Sequence, residues 1–182
     1  MSTQKAVVCF GPGDARLIID HPIPALRSRF ILVKTVAVAL NPTDWKHIDR
    51  GVKDAIVGCD YSGVVEAVGE DVTKGFKKGD KVYGLVHGCN RYRPDSGAFA
   101  EHIVAKGDIQ SKIPDNLTFE EAATLGAGLV TVGHGMYQHL GLAMPTDPIK
   151  DETPILVYGG STATGSLGIQ FAKLYAEISL VS

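Results

Sequence analysis

The run Ile155-Leu156-Val157-Tyr158-Gly159-Gly160-Ser161-Thr162-Ala163-Thr164-Gly165 constrains this chain more than any other stretch. A short β-branched segment enters a turn of small residues, and an apolar-periodic helix through Leu167, Phe171 and Leu174 follows. Strand, glycine turn and helix together form the opening of a dinucleotide-binding unit. Small residues let backbone amides approach a pyrophosphate, and the helix N-terminus offers partial positive charge. The hydroxyls of Ser161, Thr162 and Thr164 would add donors. The spacing departs from G-x-G-x-x-G, and an ordinary glycine-rich strand-to-helix turn is the competing reading. Seventeen residues follow Gly165, so the unit is expected to be incomplete within this sequence.

Upstream of that turn the chain reads as β-rich to about residue 115. Ala6–Phe10 is a first short strand, and Phe30–Leu40 a long one, apolar at most positions and expected to be buried on both faces. Asn41-Pro42 stops it with a turn. Tyr61–Val68 lies among Gly58, Gly63 and Gly69; Lys81–Gly84 follows a polar turn; Phe99–Ala105 follows Gly97. Short strands and frequent glycines favour a partly closed barrel. Thr118-Phe119-Glu120-Glu121 is a capping box, and a small-residue helix continues through Leu125, Leu129 and Val132. Glycines at 126, 128, 133 and 135 are expected to break it into two pieces. Met144–Pro154, with three prolines, reads as a linker, and Ile178–Val181 as a second parallel strand. The fold class is mixed α/β, with length sufficient for one domain or a little more.

Composition narrows the partners. Net charge is −2 with no Lys/Arg-rich run, so nothing draws the chain to nucleic acid or an acidic membrane surface. The start is too polar for a signal peptide, and no apolar run has membrane-spanning length. Cys9, Cys59 and Cys89 have neither disulfide-framework nor metal spacing, which leaves a reducing, cytoplasmic location as the expectation.

The order of landmarks is similar to that of the medium-chain dehydrogenase/reductase superfamily. Those landmarks are Ala39-Leu40-Asn41-Pro42-Thr43-Asp44, Gly58-Cys59-Asp60-Tyr61-Ser62-Gly63-Val64-Val65, Gly69, Gly79-Asp80-Lys81-Val82-Tyr83-Gly84 and Gly97-Ala98-Phe99-Ala100-Glu101, ahead of the glycine turn. Tyr158-Gly159-Gly160-Ser161-Thr162-Ala163-Thr164 resembles the fungal trans-acting enoyl reductases that partner polyketide synthases in secondary metabolism. The resemblance implies a GroES-like domain over 1–117 and the beginning of a Rossmann-type, NADP-binding α/β domain over 118–182. Thr162 and Ala163 stand where related zinc-free reductases tend to carry glycines, and their β-carbons narrow the approach to a pyrophosphate. Ala176 falls where a glycine often ends this helix. The residues that would grip the adenosine end are not in the sequence, so NADPH as the cofactor is implied by the family alone.

Zinc-dependent members of that superfamily carry a Cys at the first landmark and Gly-His-Glu at the second. Here those places read Asn41-Pro42-Thr43-Asp44 and Gly58-Cys59-Asp60. Adjacent strand residues point to opposite faces, so Cys59 and Asp60 make a poor ligand pair, and Cys59 reads as a core thiol. His87 and Cys89 supply fewer ligands than a protein zinc site needs. No metal is expected.

A metal-free enoyl reduction must stabilise charge on the thioester oxygen by hydrogen bonds and cations. Lys46, after the Asn-Pro turn, is the candidate cation, and Thr131 the candidate hydroxyl. The resemblance places Thr43, Asp44, Trp45 and Lys46 at the nicotinamide end of NADPH and Thr162, Ala163, Thr164 and Gly165 at its pyrophosphate. It makes Val132, Gly133, His134, Gly135, Met136, Tyr137, Gln138 and His139 the substrate-contacting segment. Each has a plainer alternative: a helix cap for Asp44, a solvated lysine for Lys46, rim packing for Trp45, and close helix approach at Gly133 and Gly135. Packing is the favoured role for Tyr137; Met136 stays open. His134 and His139 are five apart and share no helix face. Arg91 and Arg93, beside Tyr92 and Pro94, are a loop candidate for a carrier's phosphopantetheine, against ordinary solvated charges.

The implied whole is a monomer reducing an α,β-unsaturated acyl thioester held on a polyketide synthase carrier. A zinc-independent quinone or alkenal reductase is the alternative enzyme, and an inactive fragment or interaction module the alternative outside enzymes. Uncovered sheet faces would make the short chain self-associate and bind NADPH weakly or not at all.

Overall fold

The computed structural model describes residues 2–148 and 154–175. The chain divides into two compact units, Met1–Ala127 and Gly128–Ser182.

The first unit is built on two antiparallel sheets. One has the order β2-β1-β4, from Asp14–Pro22, Thr3–Gly11 and Ala55–Ile56. The other has the order β7-β3-β5-β6-β8, from His102–Lys106, Phe30–Ala39, Asp60–Val68, Lys81–Leu85 and Ser111–Lys112. The expected strand over Phe99–Ala105 is divided between them. Phe99 takes the Val7 N–H on its carbonyl (2.8 Å) and donates its own N–H to Val57 (2.9 Å). Ala100 bridges to Ala6, and β7 starts only at His102. This crossing segment ties the two sheets into a partial barrel.

β3 corrects the expectation of burial on both faces. Phe30, Ile31 and Val33 are buried where the strand is flanked by both β5 and β7. The β7 pairing ends at Lys34, and beyond it Val36, Val38 and Leu40 are exposed. β2 was not foreseen at all. It follows the Pro12-Gly13 turn and pairs with β1 as an edge strand, with Leu17 and Ile19 outward.

The core is a cluster of thirteen buried residues, including Ile31, Val33, Ile56, Val65, Val82 and Ile103. Tyr61 is buried with them, and its hydroxyl donates to Gln110 Oε1 at 2.9 Å. Gln110 Nε2 donates to the carbonyls of Leu85 (3.2 Å) and Lys106 (3.1 Å), so the buried amide is satisfied on both ends.

Asn41-Pro42, read as a turn, also starts a helix, α1 (Pro42–Arg50). Proline at the first helical position lacks only an N–H that would be unpaired anyway. Asp44 reaches back to accept the Asn41 N–H at 2.8 Å, and Gly51 closes the far end in the left-handed region at φ 68°. The capping box at Thr118 forms as expected: Glu121 N–H donates to Thr118 Oγ1 (3.2 Å) and Thr118 N–H to Glu121 Oε2 (2.9 Å). It opens α2 (Phe119–Ala123), which is only five residues long. The break falls at Thr124-Leu125, ahead of the glycines. α3 (Gly126–Gly133) then begins where a β-carbon would strike the Gly84 carbonyl and the Asp60 carboxylate.

In the second unit a π-helical turn runs over His134–His139, and α4 covers Ala163–Tyr175. Val132, Met136 and Ala172 form its buried centre, with Tyr137, Leu142, Ile155, Leu167 and Phe171 packed around. The strand expected at Ile155 is not formed. Burial alternates strand-fashion from Ile155 to Tyr158, yet no described residue pairs with this run, and Leu156 and Tyr158 are exposed. A strand exists only through ladder bonds to a neighbour. The strand expected at Ile178–Val181, the helix end at Ala176 and part of the linker lie outside the described residues. No described helix is long and apolar enough to cross a membrane.

Candidate functional site

The first unit gathers a buried polar network around the start of α1. Asp60, the first residue of β5, is 1% exposed. Its Oδ1 accepts the Ala127 N–H at 2.7 Å, and its Oδ2 accepts from Asn41 Nδ2 at 2.9 Å. Burial pushes its pKa up to about 6, against the pull of those two hydrogen bonds. Asp44 is 4% exposed, with Oδ2 on the Asn41 N–H and Oδ1 buried without a partner. Burial pushes the Cys59 thiol up to about 12, which leaves it protonated and unsuited to nucleophilic or thiolate chemistry at neutral pH. Among the described residues no group of three His, Cys, Asp or Glu side chains is placed to hold a metal ion.

The four expected nicotinamide-end residues therefore divide. Asp44 turns inward as part of the helix start. Thr43 is half-buried, its Oγ1 at 3.5 Å from His47 Nε2. Trp45 and Lys46 face solvent, with Lys46 Nζ 5.5 Å from the indole ring centroid. Among the described residues no carboxylate pairs with Lys46.

The segment from Thr131 to His139 lies in the second unit. Thr131, His134, Gln138 and His139 are exposed, whereas Val132 and Met136 are buried. Met136, left open by the sequence, is core. Tyr137 packs as expected: its ring centroid is 6.2 Å from that of Phe171, though its buried hydroxyl has no partner. Among the described residues nothing stands within 4 Å of where a β-carbon would project at Gly133 or Gly135.

The glycine turn of the second unit is internally braced. Gly159 adopts φ 80°. Thr162 Oγ1 donates to the Gly159 carbonyl (2.8 Å) and accepts the Gly165 N–H (3.0 Å). That hydroxyl proton is spent inside the turn, which corrects the expectation that it serves as a phosphate donor. Gly165 is buried, and a β-carbon there would strike the Gly159 carbonyl. Ala163 and Thr164 remain exposed in the first turn of α4, where backbone amides have no intrahelical acceptor.

Reading the sequence missed the network of Asn41, Asp60 and the Ala127 amide. Asn41 and Asp60 both stand in the landmark runs, but only the fold joins positions 19 and 67 residues apart.

Comparison with known proteins agrees with this architecture. The alcohol dehydrogenase GroES-like domain matches residues 28–115. The trans-enoyl reductase TOXD of Cochliobolus carbonum is 60% identical over 175 residues, covering 96% of this chain and 59% of that protein. The trans-enoyl reductase resD of Aspergillus sclerotiorum is 53% identical, covering 98% and 54%. Among solved structures, the quinone oxidoreductase from Coxiella burnetii superposes with a TM-score of 0.70 at 30% identity, over 94% of this chain and 54% of that one. The chain spans about half the length of the curated relatives it matches. The GroES-like match and the ordered landmarks agree with identities of up to 60% to fungal trans-enoyl reductases: along nearly its whole length the chain is similar to those reductases, and through residues 28–115 to the GroES-like domain of alcohol dehydrogenases.

Proposed function

We propose that this sequence is part of a zinc-independent trans-acting enoyl reductase that reduces α,β-unsaturated acyl thioesters carried by a polyketide synthase. The observation that carries the reading is the 60% identity to a trans-enoyl reductase over nearly the whole chain. That identity comes with an exposed lysine on a capped helix and a braced glycine turn opening a thirteen-residue helix.

The turn fits NADPH. Gly165 lets the turn close on the Gly159 carbonyl, and the amides of the exposed residues Ala163 and Thr164 at the start of α4 would hold the pyrophosphate. When bound, the cofactor supplies a hydride to the substrate β-carbon. Lys46 would then supply a cation for the negative charge that develops on the thioester oxygen. Trp45, beside Lys46, offers its ring to that ammonium at 5.5 Å. A proton from water or a neighbouring side chain completes reduction at the α-carbon. The open space at Gly133 and Gly135 would admit the acyl chain, with the exposed His134, Gln138 and His139 along its path.

The Coxiella burnetii match favours a second reading, reduction of free quinones. The two are separated by assaying NADPH oxidation with crotonyl-pantetheine thioester and with a quinone, using the protein with its nucleotide-binding domain complete. A higher kcat/KM for the thioester is expected; preference for the quinone overturns the proposal.

A further inference from the structure

The C-terminal half of α1 and the loop after β6 enclose a cavity that uses none of the residues proposed for hydride transfer. His47, Arg50 and Val52 line one side; His87, Cys89, Asn90, Arg91 and Tyr92 line the other, around a volume of about 170 Å³. Among the described residues no carboxylate lines it. The His47 and His87 rings stand 5.6 Å apart, tilted by 46°. His47 Nδ1 is buried without a hydrogen-bond partner. Burial, then the His87 ring and the Arg50 guanidinium, hold the His47 pKa below its ordinary value, and only Asp44 opposes them.

The loop is shaped to keep Arg91 at this cavity. Cys89 takes a left-handed backbone (φ 51°) while its N–H is held by the Ile56 carbonyl at 2.7 Å. Asn90 Oδ1 then accepts the N–H groups of Tyr92 (2.9 Å) and Arg93 (3.2 Å). Arg93 leaves the group: its guanidinium lies 5.1 Å from the Phe30 ring centroid. The two loop arginines that the sequence presents as equals thus have different places.

Two arginines, two imidazoles and an amide line the cavity, and the nearest carboxylate named by its electrostatics, Asp44, is not among the lining residues. Like charges gathered this way repel unless an anion joins them. Guanidinium groups favour oxyanions they can grip with two parallel bonds, and the donors here outnumber the two oxygens of a carboxylate. Val52 and Cys89 add apolar wall, and the Tyr92 ring, 90% exposed, stands at the rim where the organic part of an ester would lie. We propose that this cavity binds the phosphate group of a phosphate ester. A phosphopantetheine arm and free phosphate present the same chemistry to it.

Imidazole NMR of the 182-residue chain tests this, titrated separately with inorganic phosphate, 4′-phosphopantetheine and acetate. The His47 and His87 resonances are expected to move saturably with phosphate, and the His47 pKa to rise. The Arg50→Gln/Arg91→Gln variant should bind at least about tenfold more weakly, with the thermal unfolding midpoint as a folding control. His87→Gln, a change at an exposed residue, gives a second variant with the same expectation. Tighter binding of phosphopantetheine than of phosphate assigns the ester arm, and equal binding assigns the free ion; both support the site. Absence of shifts at about 50 mM phosphate, shifts unchanged in both variants, or acetate binding as tightly as phosphate would each overturn it. Enoyl reduction can fail while this binding holds, and the reverse, so the two readings fall separately.

Discussion

The two units of this chain differ in how their apolar residues find partners. In the first, thirteen buried residues from both sheets meet in one cluster, and even the buried Tyr61 and Gln110 satisfy each other. In the described part of the second, three buried residues form the centre, while Leu156 and Tyr158 are 94% and 100% exposed. Both segments are apolar and β-branched. Antiparallel strands joined by short turns bring their own neighbours along the chain; a parallel strand needs a crossover and a second strand before any ladder bond forms. The same residue chemistry thus yields a finished core in one unit and, in the other, an exposed run that pairs with none of the described residues.

The largest test of this contrast is hydrogen exchange. Amides of β3 and β5 should exchange about a thousandfold more slowly than those of α4, because the first open only with the whole barrel. Equal protection would break the comparison. Core truncation is the next: Ile103→Ala should cost roughly 3–4 kcal/mol in the unfolding of the first unit, whereas Met136→Ala should leave that transition unmoved in a denaturant titration.

Asp60 gives a pH signature confined to the first unit. Its pKa is about 6 in the folded chain against 3.8 for the free group, so the folded state holds the proton more tightly. Between those values the folded chain binds more protons than the unfolded, and stability falls as the pH rises through the window, by roughly 2–3 kcal/mol in all. Asp60→Asn should remove that slope, and an unchanged slope in urea titrations across the window would refute the assignment. Tyr61→Phe should cost about 1–2 kcal/mol by leaving Gln110 Oε1 unpaired, read from the same titrations. Lys46→Ala should move stability by less than about 0.5 kcal/mol, so that any larger effect of this exposed lysine appears in turnover.

Local signals were legible wherever a few neighbouring residues decide the outcome. Thr118 and Glu121 specify their cap between themselves, and Gly159 to Gly165 brace their own turn. Asn41-Pro42 was read as a stop because the Asn-Pro pair ends strands, but with Asp44 three positions on it also opens a helix. The exposed half of β3 was illegible because its apolar residues match those of the buried half, and only the end of the β7 pairing separates them. In the candidate site, the outward Lys46 follows from α1, whereas Asp60 reaching both Asn41 and the Ala127 amide depends on tertiary contacts that no local pattern encodes.

Cys9, Cys59 and Cys89 are all at most 4% exposed, each enclosed by the first unit. Left folded, the protein is therefore nearly silent to maleimide reagents and can be stored without forming cross-linked dimers. A thiol introduced at exposed Leu156 would label at once, while the native three would wait for the barrel to open. Their slow modification then becomes an internal clock for that opening, run in the same tube as a fast reporter on the other unit.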